Sequence, residues 1–103
     1  MNFQVELTER AQRDIDEAFA WLVSRSPAAA AQWHEELLAT IGRLEMLPER
    51  CRIAAQESAA YRREVRQLLC GVYRVLFTIE GRTVYVLAVR HGRRRYLTAE
   101  DLG

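Results

Sequence analysis

The sequence contains no lysine, so all fifteen of its basic residues are arginines. It has only two cysteines, Cys51 and Cys70, which stand far apart and lack the C-x-x-C spacing typical of zinc sites. This spacing argues against a disulfide framework and a structural metal, and it fits an intracellular protein whose cysteines are reduced. We therefore expect no metal and no cofactor.

Long hydrophobic runs are also lacking, and no stretch approaches the length of a membrane span. The first residues, MNFQVE, have no basic region followed by an apolar run, which a secretory signal would require. We expect a cytoplasmic protein with no membrane partner.

Half of the 103 residues are hydrophobic, which suits a single domain spanning residues 1–103. The charges are segregated along the chain. Residues 1–50 carry five arginines and nine acidic residues, whereas residues 51–103 carry ten arginines and five acidic residues. A basic second half predicts an anionic partner, either nucleic acid or an acidic protein segment.

The first half predicts a strand and two helices. Residues 3–7 alternate apolar and polar side chains, as a strand does. Thr8 and Ser26 are suited to cap two helices, and Pro27 suits the first turn of the second. Apolar side chains then recur at helical spacing, and the second helix should end before Pro48. Two helices joined by so short a link must form an antiparallel hairpin. We assign Trp21 and Trp33 to the packing of this hairpin.

The second half predicts a three-stranded antiparallel meander over residues 64–69, 72–79 and 83–89, with glycines in both turns. Residues 47–60 show no clear period and are interpreted as a loop. The fold class that follows is α+β: an N-terminal strand, an antiparallel two-helix hairpin and the meander. They form a single twisted sheet with the helices on one face. The other face should be partly open.

Strand alternation determines where the arginines point. Tyr73, Val75 and their alternate neighbours should face the helices, which places Arg74 on the open face. In the third meander strand Val84, Val86, Ala88 and Arg90 share a side. If that side is the open one, Arg74 and Arg90 lie close together, and Arg66 of the first meander strand could join them. One bulge would move any of these residues across the sheet.

A basic tail continues from this cluster. The predicted binding residues, for a target or for a neutralising partner, are Arg66, Arg74, Arg90, His91, Arg93, Arg94 and Arg95. Such a cluster needs an anion for its guanidinium groups, although Glu64 or Glu80 could neutralise one of them internally.

Catalysis at an RNA phosphate would need a base, cations for the developing charge and an acid for the leaving group. Arginine can serve only as the cation, because its pKa lies above about 12. His91, Tyr96 and Glu64 are the candidates for proton transfer, and only histidine has an ordinary pKa, about 6.5, near neutrality. The sequence therefore supplies only some of the groups that an RNA-cleavage site needs, whereas a binding surface needs no proton carrier.

The order of these elements, with VELTERAQRDIDEAFAWL, REVRQLL, YRVLFTI and VLAVRHGRRR, resembles the RelE/ParE toxins of type II toxin–antitoxin systems. The resemblance spans roughly residues 3–96. It implies a toxin that serves plasmid stabilisation and is silenced by a cognate antitoxin, which is acidic, partly disordered and DNA-binding at its N-terminus. Within the family, RelE-like members cleave mRNA on the ribosome and ParE-like members poison DNA gyrase.

The resemblance carries over to individual residues only in part. Arg74 matches the arginine that holds the scissile phosphate in RelE-like toxins, and Arg94 lies near a second catalytic arginine. Arg66 lies near a RelE lysine, but this chain has no lysine, and Tyr96 does not align cleanly with the RelE tyrosine. The long helices and the RHGRR ending resemble ParE-like members.

We therefore expect a ParE-like gyrase inhibitor that is not itself an enzyme. The alternative is a ribosome-dependent mRNA endonuclease in which Arg74 and Arg94 hold the phosphate and His91 or Tyr96 transfers protons. A further alternative is an inactive member that binds only its antitoxin. A homo-oligomer is compatible with all three.

Overall fold

The structure is a computed structural model that describes residues 2–92. The five strands are β1 (Gln4–Leu7), β2 (Arg52–Ile53), β3 (Arg66–Cys70), β4 (Tyr73–Glu80) and β5 (Thr83–His91). The three α-helices are α1 (Glu9–Arg25), α2 (Pro27–Gly42) and α3 (Ala55–Tyr61). The expected α+β fold class, with a strand, a helical hairpin and an antiparallel meander, is confirmed. None of the described helices is long and apolar enough to span a bilayer.

The helical hairpin begins and turns at the predicted caps. The Thr8 hydroxyl accepts a hydrogen bond from the backbone N–H of Ala11, and the Ser26 hydroxyl accepts one from Ala29. Ser26 alone separates α1 from α2, and the two helices pack against each other. The second helix ends earlier than predicted, at Gly42, and a 3-10 turn over Arg43–Glu45 follows it.

The sheet is mixed, with strand order β1-β5-β4-β3-β2. β1 joins one edge, as expected, and runs parallel to β5, while the other neighbours are antiparallel. Gly71 and Gly81, in the two meander turns, have φ angles of +57° and +60°, a conformation in which a side chain would be strained.

The main core lies between this sheet and the hairpin. Ile15 of α1 and Leu37 of α2 are buried against Val75 and Phe77 of β4. This confirms the predicted alternation of β4, in which Tyr73, Val75, Phe77 and Ile79 face the helices. Arg74 consequently points to the other face.

The prediction of a loop over residues 47–60 was wrong. That segment contains the edge strand β2 and the helix α3, which packs on the face opposite the hairpin. There a second, smaller core has formed, which consists of Ala54, Val65, Leu76, Leu87 and Ala88. α3 has only seven residues and its N-cap, Ala54, has no capping side chain, so neither periodicity nor a cap signals it. The face expected to be partly open is thus covered in part by α3.

A register shift in β5 explains a second difference. Leu76 pairs with Ala88 but the next residue, Phe77, pairs with Val86, so β5 is bulged between them. The bulge turns Val84 and Val86 towards the hairpin core, whereas Ala88 belongs to the opposite cluster. The prediction that Val84, Val86, Ala88 and Arg90 share one side was therefore wrong for the two valines.

Candidate functional site

Arg74 and Arg90 are direct neighbours on the sheet face opposite the hairpin. They are register partners in the antiparallel pair β4–β5, and directly opposed side chains of such a pair lie on the same face. The predicted proximity of these two arginines is confirmed. Two like charges so close together require a compensating anion.

That anion is supplied from within the chain, by Glu57 of α3. Nη1 of Arg74 donates to Oε2 of Glu57 over 3.0 Å, and Nη2 donates to Oε1 over 3.1 Å. Oε1 of Gln67 accepts from both Nε and Nη2 of Arg74, at 3.0 and 2.8 Å. Glu57 is fully buried and the Arg74 side chain is only 13% exposed. The arginine is thus matched to an internal carboxylate in a two-pronged pair.

Arg66 does not belong to this cluster. It pairs in register with Phe77, whose side chain faces the hairpin, so Arg66 lies on the opposite face from Arg74. Its Nη1 donates to the carbonyl oxygens of Glu49 and Cys51, at 2.7 and 2.6 Å, and its Nη2 pairs with Glu64. The prediction that Arg66 joins Arg74 and Arg90 was wrong, because the register of β3 turns it the other way. Arg66 fastens the segment before β2.

His91 also lies on the hairpin side of the sheet. Its register partner is Tyr73, and the two rings contact each other at 5.5 Å between centroids. Tyr73 in turn contacts Trp33 of α2 at 5.2 Å. The candidate phosphate ligand, Arg74, and the candidate proton carrier, His91, are therefore on opposite faces. The basic tail that begins at His91 was predicted to continue from the cluster around Arg74, but His91 itself lies on the other face of the sheet.

His91 instead lines a groove of about 520 Å³ between α1 and the end of β5. Asp14, Glu17 and Trp21 of α1 form its other wall. Asp14 accepts a hydrogen bond from the backbone N–H of Val89, at 3.0 Å, and pairs with Arg10. The groove beside the hairpin is thus lined in part by two carboxylates.

The sequence model of the family described as "ParE toxin of type II toxin-antitoxin system, parDE" matches residues 5–96. The chain belongs to this family. Among curated relatives, toxin RelE1 of Caulobacter vibrioides is 30% identical over 92 residues, which cover 89% of this chain and 96% of that protein.

Two solved structures share the fold of this ParE-family chain. The chromosomal ParDE toxin–antitoxin system of P. aeruginosa superposes with a TM-score of 0.70 at 16% identity, covering 86% of this chain and 95% of that one. The toxin–antitoxin complex RelBE2 of Mycobacterium tuberculosis gives a TM-score of 0.56 at 26% identity, covering 88% and 92% of the two chains.

Trp21 was predicted to pack within the helical hairpin of this ParE-family chain, but it lies on the surface. It is 54% exposed, and the guanidinium of Arg25 stacks on its ring at 4.3 Å. The sequence does contain a signal that Trp21 is exposed. Arg25 follows it by one turn on the same helix, and residues at this spacing share a helix face. Trp33, in contrast, packs against the core as predicted.

The remaining predicted site residues, Arg93, Arg94, Arg95 and Tyr96, lie outside the described residues. Within residues 2–92, no three His, Cys, Asp or Glu side chains are placed to hold a metal ion. Cys51 is half-buried, and burial raises the pKa of its thiol while the nearby Arg66 opposes that rise.

Proposed function

We propose that this chain is a ParE-like toxin that inhibits DNA gyrase, serves plasmid stabilisation and is neutralised by a cognate antitoxin. The observation that carries the proposal is the pairing of Arg74 with the buried Glu57. An arginine saturated by an internal carboxylate and by Gln67 has few donors left for a scissile phosphate. A gyrase inhibitor needs no such phosphate site.

The split between the faces of the sheet supports the same conclusion. Cleavage of RNA requires the phosphate ligand and the proton carrier to meet around one reacting group, within hydrogen-bond reach. Arg74 and His91 are separated by the sheet itself. Gyrase is a cytoplasmic enzyme, so the proposal requires the chain to act in the cytoplasm.

The mRNA endonuclease remains the second candidate because of two relatives. Toxin RelE1 is 30% identical, and a RelBE2 complex shares the fold at 26% identity. In that case Arg94 and Tyr96 would have to supply the chemistry that the described residues do not assemble. The Arg74→Ala, Arg94→Ala double variant should then lose all toxicity.

The deciding experiment is induction of the chain without its antitoxin, followed by two assays. We expect purified gyrase to be trapped in cleaved complexes with DNA and cells to form filaments with a DNA-damage response. Rapid arrest of translation, with mRNA cut at ribosomal A sites, would instead assign the endonuclease activity. Absence of any growth defect would leave only the reading of an inactive member that binds its antitoxin.

The antitoxin partner is supported by the solved neighbours, which are both toxin–antitoxin systems. Leu69 is the register partner of Arg74, shares its face and is 58% exposed. An apolar residue beside two arginines suits an acidic, amphipathic segment that folds on binding. We therefore propose that the antitoxin covers the end of this face, at Leu69 and Arg90.

A matched pair of variants tests this surface. Leu69→Asp should weaken antitoxin binding and its rescue of growth, because it adds a negative charge opposite an acidic segment. Ile53→Asp is the control, since Ile53 is a strand residue of similar exposure that pairs with Arg66 on the other face. Equal binding by both variants would place the antitoxin elsewhere.

A further inference from the structure

The groove between α1 and the end of β5 has one wall that suits a cation. Glu17 and Trp21 lie one turn apart on α1, and both line the groove. Glu17 is exposed, and among the described residues it has no hydrogen-bond or ion-pair partner. The ring of Trp21 already holds one guanidinium, that of Arg25, at 4.3 Å from its centre. A carboxylate beside an aromatic ring is a favourable environment for a further arginine side chain.

The second half of α1 lies alongside the end of β5. Thr8, just before α1, donates a hydrogen bond to the carbonyl oxygen of Val86, and Asp14, further along the helix, accepts one from the backbone N–H of Val89. Helix and strand therefore advance in the same direction, and the helix residues after Asp14 flank the residues that follow Val89. His91, the last residue of β5, lines the groove accordingly.

The chain leaves β5 at a fixed point beside this groove. The backbone N–H of Gly92 donates to the carbonyl oxygen of Val72 over 2.7 Å. Residues 93–103 lie outside the described residues, and they begin with three consecutive arginines, Arg93–Arg95. Because an extended chain spans about 3.3 Å per residue, the backbone of these arginines is tethered within about 10 Å of Gly92. So short a tether gives their side chains a high effective concentration at the groove.

We propose that the groove between α1 and β5 is the docking site of the chain's own Arg93–Arg95, where a guanidinium pairs with Glu17 and lies against Trp21. Glu17 then supplies the anion that these arginines need, and the docked arginines are withheld from an outside polyanion. The docking is a property of the chain by itself, so a failure of the gyrase assay or of the antitoxin surface would leave it standing.

Trypsin, which cleaves after arginine, measures this docking in the full-length chain. The rate of cleavage after Arg93–Arg95 is compared with that in a free synthetic peptide of residues 91–103, which has no groove to bind. Cleavage follows the released population when release is fast. We expect slower cleavage in the parent than in the peptide. Glu17→Arg should accelerate it about five-fold, because a repulsive charge replaces an attractive one.

Asp16→Arg is the matched control. It makes the same change of charge on the adjacent residue of α1, which is also exposed but lies about 100° away from Glu17 around the helix. If Glu17→Arg does not fold, Glu17→Gln removes the charge alone and should give a smaller acceleration. Equal acceleration in Asp16→Arg, or cleavage of the parent as fast as that of the peptide, would overturn the proposal.

The indole N–H signals of the two tryptophans report on the contact with the ring. In the triple variant Arg93→Gln, Arg94→Gln, Arg95→Gln, the signal of Trp21 in a ¹⁵N spectrum should shift, because a guanidinium has left its ring. The signal of Trp33, which packs against the core, should stay in place. An unchanged Trp21 signal would show that these arginines do not reach the ring and would contradict the proposal.

Dilution distinguishes the chain's own arginines from those of a second copy. Docking within one chain does not depend on protein concentration, so the protection of Arg93–Arg95 from trypsin should survive strong dilution. Protection that disappears on dilution would show that a second copy fills the groove and would end the proposal.

Discussion

Asp14 of α1 accepts a hydrogen bond of 3.0 Å from the backbone N–H of Val89 in β5. β1 covers the edge of β5 only as far as Val86, so this carboxylate satisfies a donor on the edge that β1 leaves open. The Thr8 hydroxyl, at the start of the same helix, donates to the carbonyl oxygens of Val86 and Leu87. Side chains of α1 and of its N-cap thus protect the part of the edge where another strand could add.

Asp14→Ala should destabilise the fold by about 1–3 kcal/mol, because it leaves a partly buried N–H group without an acceptor. Asp14→Asn keeps an acceptor oxygen and should cost less. Urea unfolding measures both changes. Asp16→Ala is the control, since that exposed side chain accepts a hydrogen bond from Gln12 on its own helix. A loss in Asp16→Ala as large as in Asp14→Ala would refute the role of the Val89 contact.

The Glu57–Arg74 pair should behave as a buried ion pair. Glu57→Gln or Arg74→Met alone should each cost about 3–5 kcal/mol, because each leaves an uncompensated charge or donor set inside the protein. The double variant should cost clearly less than the sum of the two. The exposed pair Arg63–Glu80 should show a coupling of at most about 1 kcal/mol in the same cycle. Additive losses at Glu57 and Arg74 would contradict the prediction.

The left-handed conformation of Arg62 predicts a substitution that stabilises the chain. Arg62→Gly should stabilise the chain by about 0.5–1 kcal/mol, since glycine adopts a positive φ without the steric cost that other residues pay. Arg62→Ala removes the same side chain but keeps the β-carbon, so its stability should match that of the parent. Thermal unfolding distinguishes the two, and equal stability of both variants would argue against backbone strain at this position.

The sequence was sufficient for the features that depend on local signals. The helical hairpin follows from Thr8, Ser26 and Pro27, whose side chains act within one turn of their own position. The face of Arg74 follows from the simple alternation of β4. These features need no knowledge of which strands pair.

The features that were missed depend on pairing between distant segments. The bulge between Leu76 and Phe77 in the pairing of β4 with β5 is a property of both strands together, and the face of Arg66 depends on the register of β3 against β4. The helix α3 is held by tertiary contacts, chief among them Glu57 with Arg74. Its seven residues show no hydrophobic periodicity from which the helix could be predicted. The candidate site was therefore half predicted: Arg74 and Arg90 meet, but their counterion could not be foreseen.

The thiol of Cys51 predicts a dependence of stability on alkaline pH. Burial raises its pKa above the ordinary value of 9.0, against the opposing charge of Arg66. The unfolded chain has the ordinary pKa, so as the pH rises its thiol ionises before that of the folded chain. The stabilising contribution of the Cys51 thiol is complete below the ordinary pKa and is lost as the pH rises through the raised pKa of the folded chain.

Urea unfolding of the reduced protein between about pH 8 and pH 10 should therefore show a larger loss of stability in the parent than in Cys51→Ala. Comparing each protein with itself at the two pH values removes the packing cost of the substitution. Parallel losses in the two proteins would mean that the Cys51 thiol ionises equally easily in the folded and unfolded states.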